Sequence, residues 1–261
     1  MSYETIKLEK IEGTAIITIN RPQVYNALNA QGKLEIIAAI KESNQDHSIR
    51  SIILTGEGKA FCSGQDLNDR SVDASKGPVD IGHTLETEWN PLIQAIRSSE
   101  KLVIGAINGV AAGAGLSVAL ACDIKVAGVG VKFICGFTQI GLAPDAGLSY
   151  TLVRQMGYSK ALEFAMMGKP LLADQMEAYN LINRVSEAPL EAAKNLSMEL
   201  NALAPLSLKM MKKNFQRAQE EELMAVLELE KHAQRFLGYS SDYKEGVTAF
   251  LEKRKPQFKG L

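Results

Sequence analysis

The chain has 261 residues, 46% of them hydrophobic, with three cysteines and a formal net charge of −1. That length supports a large core, and the near-zero charge argues against nucleic acid or an anionic membrane as the main partner. Cys62, Cys122 and Cys135 form no C-x-x-C pair and no disulfide framework, and the first residues lack a basic segment followed by an apolar one, so the expected compartment is a reducing cytoplasm.

Residues 3–10 and 14–20 alternate polar and apolar side chains around Glu12-Gly13, a hairpin pattern that Arg21-Pro22 closes. Residues 29–45 have helical spacing, with Asn29 as N-cap and Leu34, Ile37, Ala38 and Ile40 as the apolar stripe. Residues 49–55 and 102–107 read as fully buried strands, 86–98 as a helix between them, and 124–127 and 132–135 as further short strands. This alternation predicts an α/β fold with a mixed, largely parallel sheet. Residues 102–126 are apolar enough to invite a membrane reading. Asn108, Ser117, Asp123, Lys125 and the glycines favour a buried strand, turn and helix instead. Beyond residue 148 the pattern turns helical at 150–156, 159–167, 173–179, 190–202 and 206–236, broken near Gln219 and interrupted by a strand-like piece at 182–185. We expect an α/β core at 1–195 and a helical region at 196–261. No internal repeat is visible. The polar segment 69–82 reads as a lid over a site or as a plain surface loop.

Three segments carry chemistry. In the turn at 60–67 Gly64 permits an unusual backbone angle, making the Gln65 N–H a candidate donor. In the turn at 108–115 Gly113 does the same for the Ala114 N–H, at the start of an apolar helix. Two such donors aimed at one carbonyl oxygen would stabilise an enolate; the competing reading is that the glycines only allow a helix to pack tightly on a strand. Gly113-Ala114-Gly115 is not a dinucleotide fingerprint, because Val118 stands where its third glycine belongs. The third segment, 141–147, offers Asp145 as a proton carrier, or as a helix N-cap after Pro144. His47, His83 and His232 lack metal-ligand spacing, so no metal is expected. Trp89 and Leu85 read as pocket wall or core.

The segments FCSGQDL, NGVAAGAGLSVALACDI and GLAPDAG, with the ending FLEKR, resemble the crotonase, or enoyl-CoA hydratase/isomerase, superfamily over essentially the whole chain. The resemblance implies a spiral of ββα units with a C-terminal helical trimerisation region, usually in a homotrimer or dimer of trimers. It implies an acyl-CoA thioester substrate, with coenzyme A present as part of that substrate and no tightly bound cofactor. The Gln65 and Ala114 amides would hold the thioester oxygen. Asn26, Ala27, Leu28, Ala60, Gly64, Asp66, Leu67 and Gly113 would line the coenzyme A path, and Lys253 would reach a phosphate from a neighbouring subunit or else sit on a solvated helix face. The two glutamates of typical hydratases fall at Ser117 and about Phe137 here, where neither residue can act as acid or base at neutral pH. A single carboxylate, Asp145, beside apolar Phe137, Leu142 and Ala146 suits isomerisation, and burial there should raise its pKa. FCSGQDLNDR, Asn90-Pro91 and SSDYKEGV resemble more closely the branch that isomerises coenzyme A esters in phenylacetate breakdown, apart from Leu148 where a glycine is common. The rivals are a hydratase using other groups and a non-catalytic acyl-CoA-binding subunit.

Overall fold

A computed structural model describes residues 3–69 and 80–261. Most of the segment proposed as a lid, residues 70–79, lies outside the described residues. The chain opens with an antiparallel hairpin, β1 (Ile6–Ile11) and β2 (Thr14–Ile19). Its two-residue turn places Glu12 at φ 48° and Gly13 at φ 80°, the twist that suits a tight hairpin.

Helix α1 (Ala30–Gln45) starts where expected, with the Asn29 side chain accepting from the Gly32 N–H at 2.9 Å. Its buried face differs from the expected stripe: Lys33, Glu35, Ile36, Ala39 and Ile40 point inward and Leu34 is exposed. The two charged residues tolerate burial because each has partners. Glu35 accepts from the Glu4 N–H at 2.9 Å and the Thr5 N–H at 2.8 Å, pinning the start of β1 to the helix.

The next strands are β3 (Ser51–Gly56), β4 (Ala60–Cys62), β5 (Leu102–Ile107), β6 (Val110–Ala112), β7 (Ile124–Gly128), β8 (Lys132–Ile134), β9 (Leu171–Leu172) and β10 (Arg184–Ser186). They form two sheets, a larger one in the order β1-β2-β3-β5-β7-β10 and a smaller one in the order β4-β6-β8-β9. Within the larger sheet every pairing after the hairpin is parallel. The smaller sheet was not anticipated, since strands of three residues are too short to show a period; residues 60–62 and 110–112 read only as turns. A structural repeat, invisible in the residue pattern but implied by the family resemblance, is plain here. Three times, a long strand in the larger sheet (β3, β5, β7) is followed by a short one in the smaller sheet (β4, β6, β8), in the same spatial order. This is a spiral of strand–strand–helix units.

Between β4 and β5 runs α2 (Ile81–Thr84), a π-helical turn at Leu85–Trp89, and α3 (Asn90–Ser98). Helix α4 (Ala114–Ala121) is buried at every residue. The apolar stretch at 102–126 is therefore β5, β6, α4 and the start of β7, and among the described residues no helix is long and apolar enough to cross a membrane. The later helices are α5 (Leu148–Met156), α6 (Tyr158–Met167), α7 (Ala173–Ala178), α8 (Pro189–Asn201), α9 (Pro205–Ala218), α10 (Leu223–Gly238) and α11 (Ser241–Leu251). The break expected near Gln219 separates α9 from α10. Helix α8 runs through position 195 and packs on the larger sheet, where the Ser197 hydroxyl meets that of Ser51 at 2.6 Å. The strands all lie before position 195, and α8 crosses it. Helix α11 falls within the region expected to be helical, though no separate helix was expected there; the Ser240 side chain caps it by accepting from the Tyr243 N–H.

Candidate functional site

Strands β4, β6 and β8 lie side by side and parallel, paired through Ala60–Val110, Cys62–Ala111 and Ala112–Ile134. Their C-terminal ends therefore deliver three segments to one edge of the small sheet: Ser63–Gln65 after β4, Gly113–Ala114 after β6, and the run from Cys135 to Asp145 after β8. The ends of adjacent parallel strands are where α/β proteins build binding crevices.

At this corner Gly64 has φ 99° and Gly113 φ 52°. A Cβ on Gly64 would lie 2.9 Å from the Ala112 carbonyl oxygen and 3.3 Å from the Ala114 nitrogen, so the two turns are in contact. Leu28 bridges Gln65 from the other side, its N–H donating to the Gly64 carbonyl at 2.8 Å and its carbonyl accepting from the Asp66 N–H at 3.0 Å. That pairing turns the intervening Gln65 N–H away from Leu28. Among the described residues, neither the Gln65 nor the Ala114 N–H donates to a protein acceptor. Ala114 is the first residue of buried α4, whose terminus adds partial positive charge to its amide.

Asp145 is held against the same helix. Its main-chain carbonyl accepts from the Ser117 hydroxyl at 3.0 Å and from the Leu148 N–H at 3.0 Å. Ser117 lies three residues beyond Ala114, about 4.5 Å along the axis. One carboxylate oxygen, Oδ1, is buried, and Phe137 and Ala146 are buried nearby in the chain. Asp145 is not the N-cap of α5, which falls at Gly147 without a side-chain hydrogen bond. Ala146 and Gly147 are both left-handed, at φ 49° and 79°, and turn the chain sharply between Asp145 and α5. Burial, together with the charge of Asp145, pushes the Cys135 thiol up to about 11.

The other expected residues divide into those with side chains committed inside the protein and those left open. Asn26 is fully buried and left-handed; its amide donates to the carbonyls of Glu57 and Ala60 and accepts from the Arg21 N–H, so it braces the β3–β4 turn. Asp66 pairs with Arg21 at 2.8 Å. Ala27, Leu28 and Ala60 are buried, whereas Leu67 is exposed. Lys253 stands exposed beyond α11. Among the described residues no three His, Cys, Asp or Glu side chains converge to hold a metal ion.

Sequence reasoning missed the groups behind Gln65. Its side-chain oxygen accepts from Lys33 Nζ at 3.0 Å and from the Trp89 indole N–H at 2.9 Å. Lys33 also pairs with Glu88 and lies 4.8 Å from the centre of the Trp89 ring. The available signal was a lysine one position before the residue assigned to the apolar stripe of α1.

The chain belongs to the enoyl-CoA hydratase/isomerase family, which it matches over residues 9–261, and is an enzyme of the crotonase superfamily with the hydratase/isomerase activity that defines the family. It is 39% identical over 251 residues to the 1,2-epoxyphenylacetyl-CoA isomerase of Escherichia coli K12, covering 95% of this chain and 96% of that protein. It is 41% identical over 262 residues to a probable enoyl-CoA hydratase of Rhodobacter capsulatus, covering all of both. Its structure superposes on the crystal structure of an enoyl-CoA hydratase from Polaromonas sp. JS666 with a TM-score of 0.92 at 34% identity, over 97% of this chain and 99% of that one.

Proposed function

We propose that the chain isomerises acyl-CoA thioesters through an enolate, with Gln65 and Ala114 as main-chain donors to the thioester oxygen and Asp145 as the proton carrier. The observation that carries this reading is the meeting of three segments at the ends of β4, β6 and β8, two with N–H groups turned from protein acceptors and the third bearing a carboxylate. For a cis-3-enoyl thioester, Asp145 takes a proton from C2. The electron pair moves onto the thioester oxygen, where the two amides stabilise it. Asp145 then returns the proton to C4, the thioester carbonyl re-forms, and the double bond lies between C2 and C3. The isomerase of Escherichia coli extends the reading to an aryl epoxide such as 1,2-epoxyphenylacetyl-CoA.

Changing Asp145→Asn tests it: turnover and exchange of α-protons with deuterium oxide should fall by about 10²–10⁴-fold, with acyl-CoA affinity within about fivefold, about 1 kcal/mol. Retained exchange overturns the role. The resemblance of the Rhodobacter protein favours a second reading, water addition. Ser117 and the stretch about Phe137, at the two hydratase glutamate places, argue against it, and a 3-hydroxy product from crotonyl-CoA would restore it.

The pantetheine and adenine portions would run past Ala27, Leu28 and exposed Leu67, with Lys253 of a neighbouring subunit reaching a phosphate. Exposed apolar residues on the C-terminal helices, among them Phe215, Leu223, Met224 and Phe250, support a homotrimer or dimer of trimers, which sedimentation would resolve. Three buried thiols without a disulfide suit a cytoplasmic setting.

A further inference from the structure

Lys33 is a lysine with no exposed side-chain surface, on the inward face of α1. Burying an ammonium is costly unless its hydrogen bonds and charge are answered. They are answered by three groups: the Gln65 side-chain oxygen at 3.0 Å, the Glu88 carboxylate, and the face of Trp89. Glu88 and Trp89 belong to the π-helical turn between α2 and α3, and such turns recur at functional sites. The Trp89 indole N–H donates to the same Gln65 oxygen at 2.9 Å, and the Gln65 amide nitrogen donates to the Asp66 carbonyl at 3.1 Å. Both ends of the Gln65 side chain are thus fixed by three hydrogen bonds from three directions. A turn residue exposed to that degree of restraint has little freedom to rotate its own peptide plane.

We infer that Lys33, with Trp89 and Glu88, is a positioning residue for the reaction: it locks the Gln65 side chain so that the Gln65 main-chain N–H stays aimed at the thioester oxygen. The inference rests on Gln65 being one of the two oxyanion donors. Lys33 touches neither substrate nor reacting atoms. It acts through the side chain of the residue whose backbone does. A merely architectural lysine would affect folding and leave the polarisation of a bound thioester unchanged.

The test is isotope-edited infrared spectroscopy of [1-¹³C]hexanoyl-CoA, whose acyl chain has no double bond to rearrange, with steady-state kinetics alongside. Wild-type protein should lower the ¹³C=O stretching frequency relative to the free ligand. Lys33→Met, similar in length but without charge or donors, should move the band part of the way back and lower kcat by about tenfold or more, with KM within about threefold. Trp89→Phe keeps an aromatic face beside Lys33 but removes the indole N–H along with part of the ring, and should give a smaller shift in the same direction; it decides the matter if Lys33→Met does not fold. A band and kcat unchanged in the folded variants overturn the positioning role. A wild-type band that stays at the free-ligand position overturns the assignment of Gln65 and Ala114 as donors, and this inference with it.

Discussion

Gly64 shows what a single residue does at this corner. Its φ of 99° lies where side chains other than glycine's are strained, and the missing Cβ leaves the room that the Ala112 carbonyl and the Ala114 amide occupy. Gly64→Ala should therefore cost about 1–3 kcal/mol in unfolding free energy. Because the contact falls on the peptide that carries one proposed donor, turnover should drop by about 10²-fold even in molecules that remain folded. Thermal unfolding and kcat/KM measured on the same preparation separate the two effects. An unchanged kcat/KM would mean that the turns do not jointly hold the substrate oxygen.

At the scale of elements, α4 is the part that joins the two halves of the proposed chemistry. Its first residue carries one donor, and one turn later Ser117 holds the Asp145 carbonyl at 3.0 Å. The place where a hydratase glutamate is expected is thus filled by a strut between helix and loop. Ser117→Ala should lower stability by about 1 kcal/mol, the ordinary value of one buried hydrogen bond. The same change should lower kcat several-fold through misplacement of Asp145, with KM nearly unchanged. Denaturant midpoints with an unaltered slope, set against the two kinetic constants, check this. Unchanged kcat beside lower stability would make the strut purely architectural. Helix α4 itself can be buried on all sides because its residues are small or apolar and its neighbours, β4 and β6, end in tight turns.

For the whole molecule, the attachment of α1 to the first strand sets a pH dependence. Burial opposes ionisation of Glu35, but hydrogen bonds from Thr5, Gln31 and Glu4 outweigh it and hold the carboxyl below its ordinary 4.5. A carboxyl whose folded pKa is depressed stabilises the fold above its unfolded value and loses that contribution as pH falls through the folded one. Glu35→Gln should therefore be less stable than wild type at pH 7, and the gap should narrow below about pH 4.5 as the wild-type carboxyl takes up its proton. Chemical unfolding at a series of pH values gives the comparison; a gap constant between pH 7 and pH 3 would mean that ionised Glu35 contributes nothing. Glu42 and Asp46, both near Lys10, are depressed in the same direction, so the first strand and α1 should loosen together in acid.

The local elements were legible in the sequence because their signals are local. Alternation marked the hairpin, Asn29 marked the start of α1, β-branched runs marked β3 and β5, and the glycines at 64 and 113 marked turns. The family followed from motifs whose spacing is carried by the chain itself. Long-range partnership was not legible. Nothing in residues 60–62 or 110–112 announces a second sheet, because its strands are stabilised by one another rather than by any pattern within themselves. The inward face of α1 was misjudged by a reading that puts apolar residues inside, since Lys33 and Glu35 are buried through partners that lie 32 and 30 residues away in Gln65 and Thr5. Sequence alone determined which residues could supply donors and a carboxylate. Tertiary structure decided that they meet, because only the parallel pairing of β4, β6 and β8 brings three chain segments, separated by about fifty and thirty residues, to one edge.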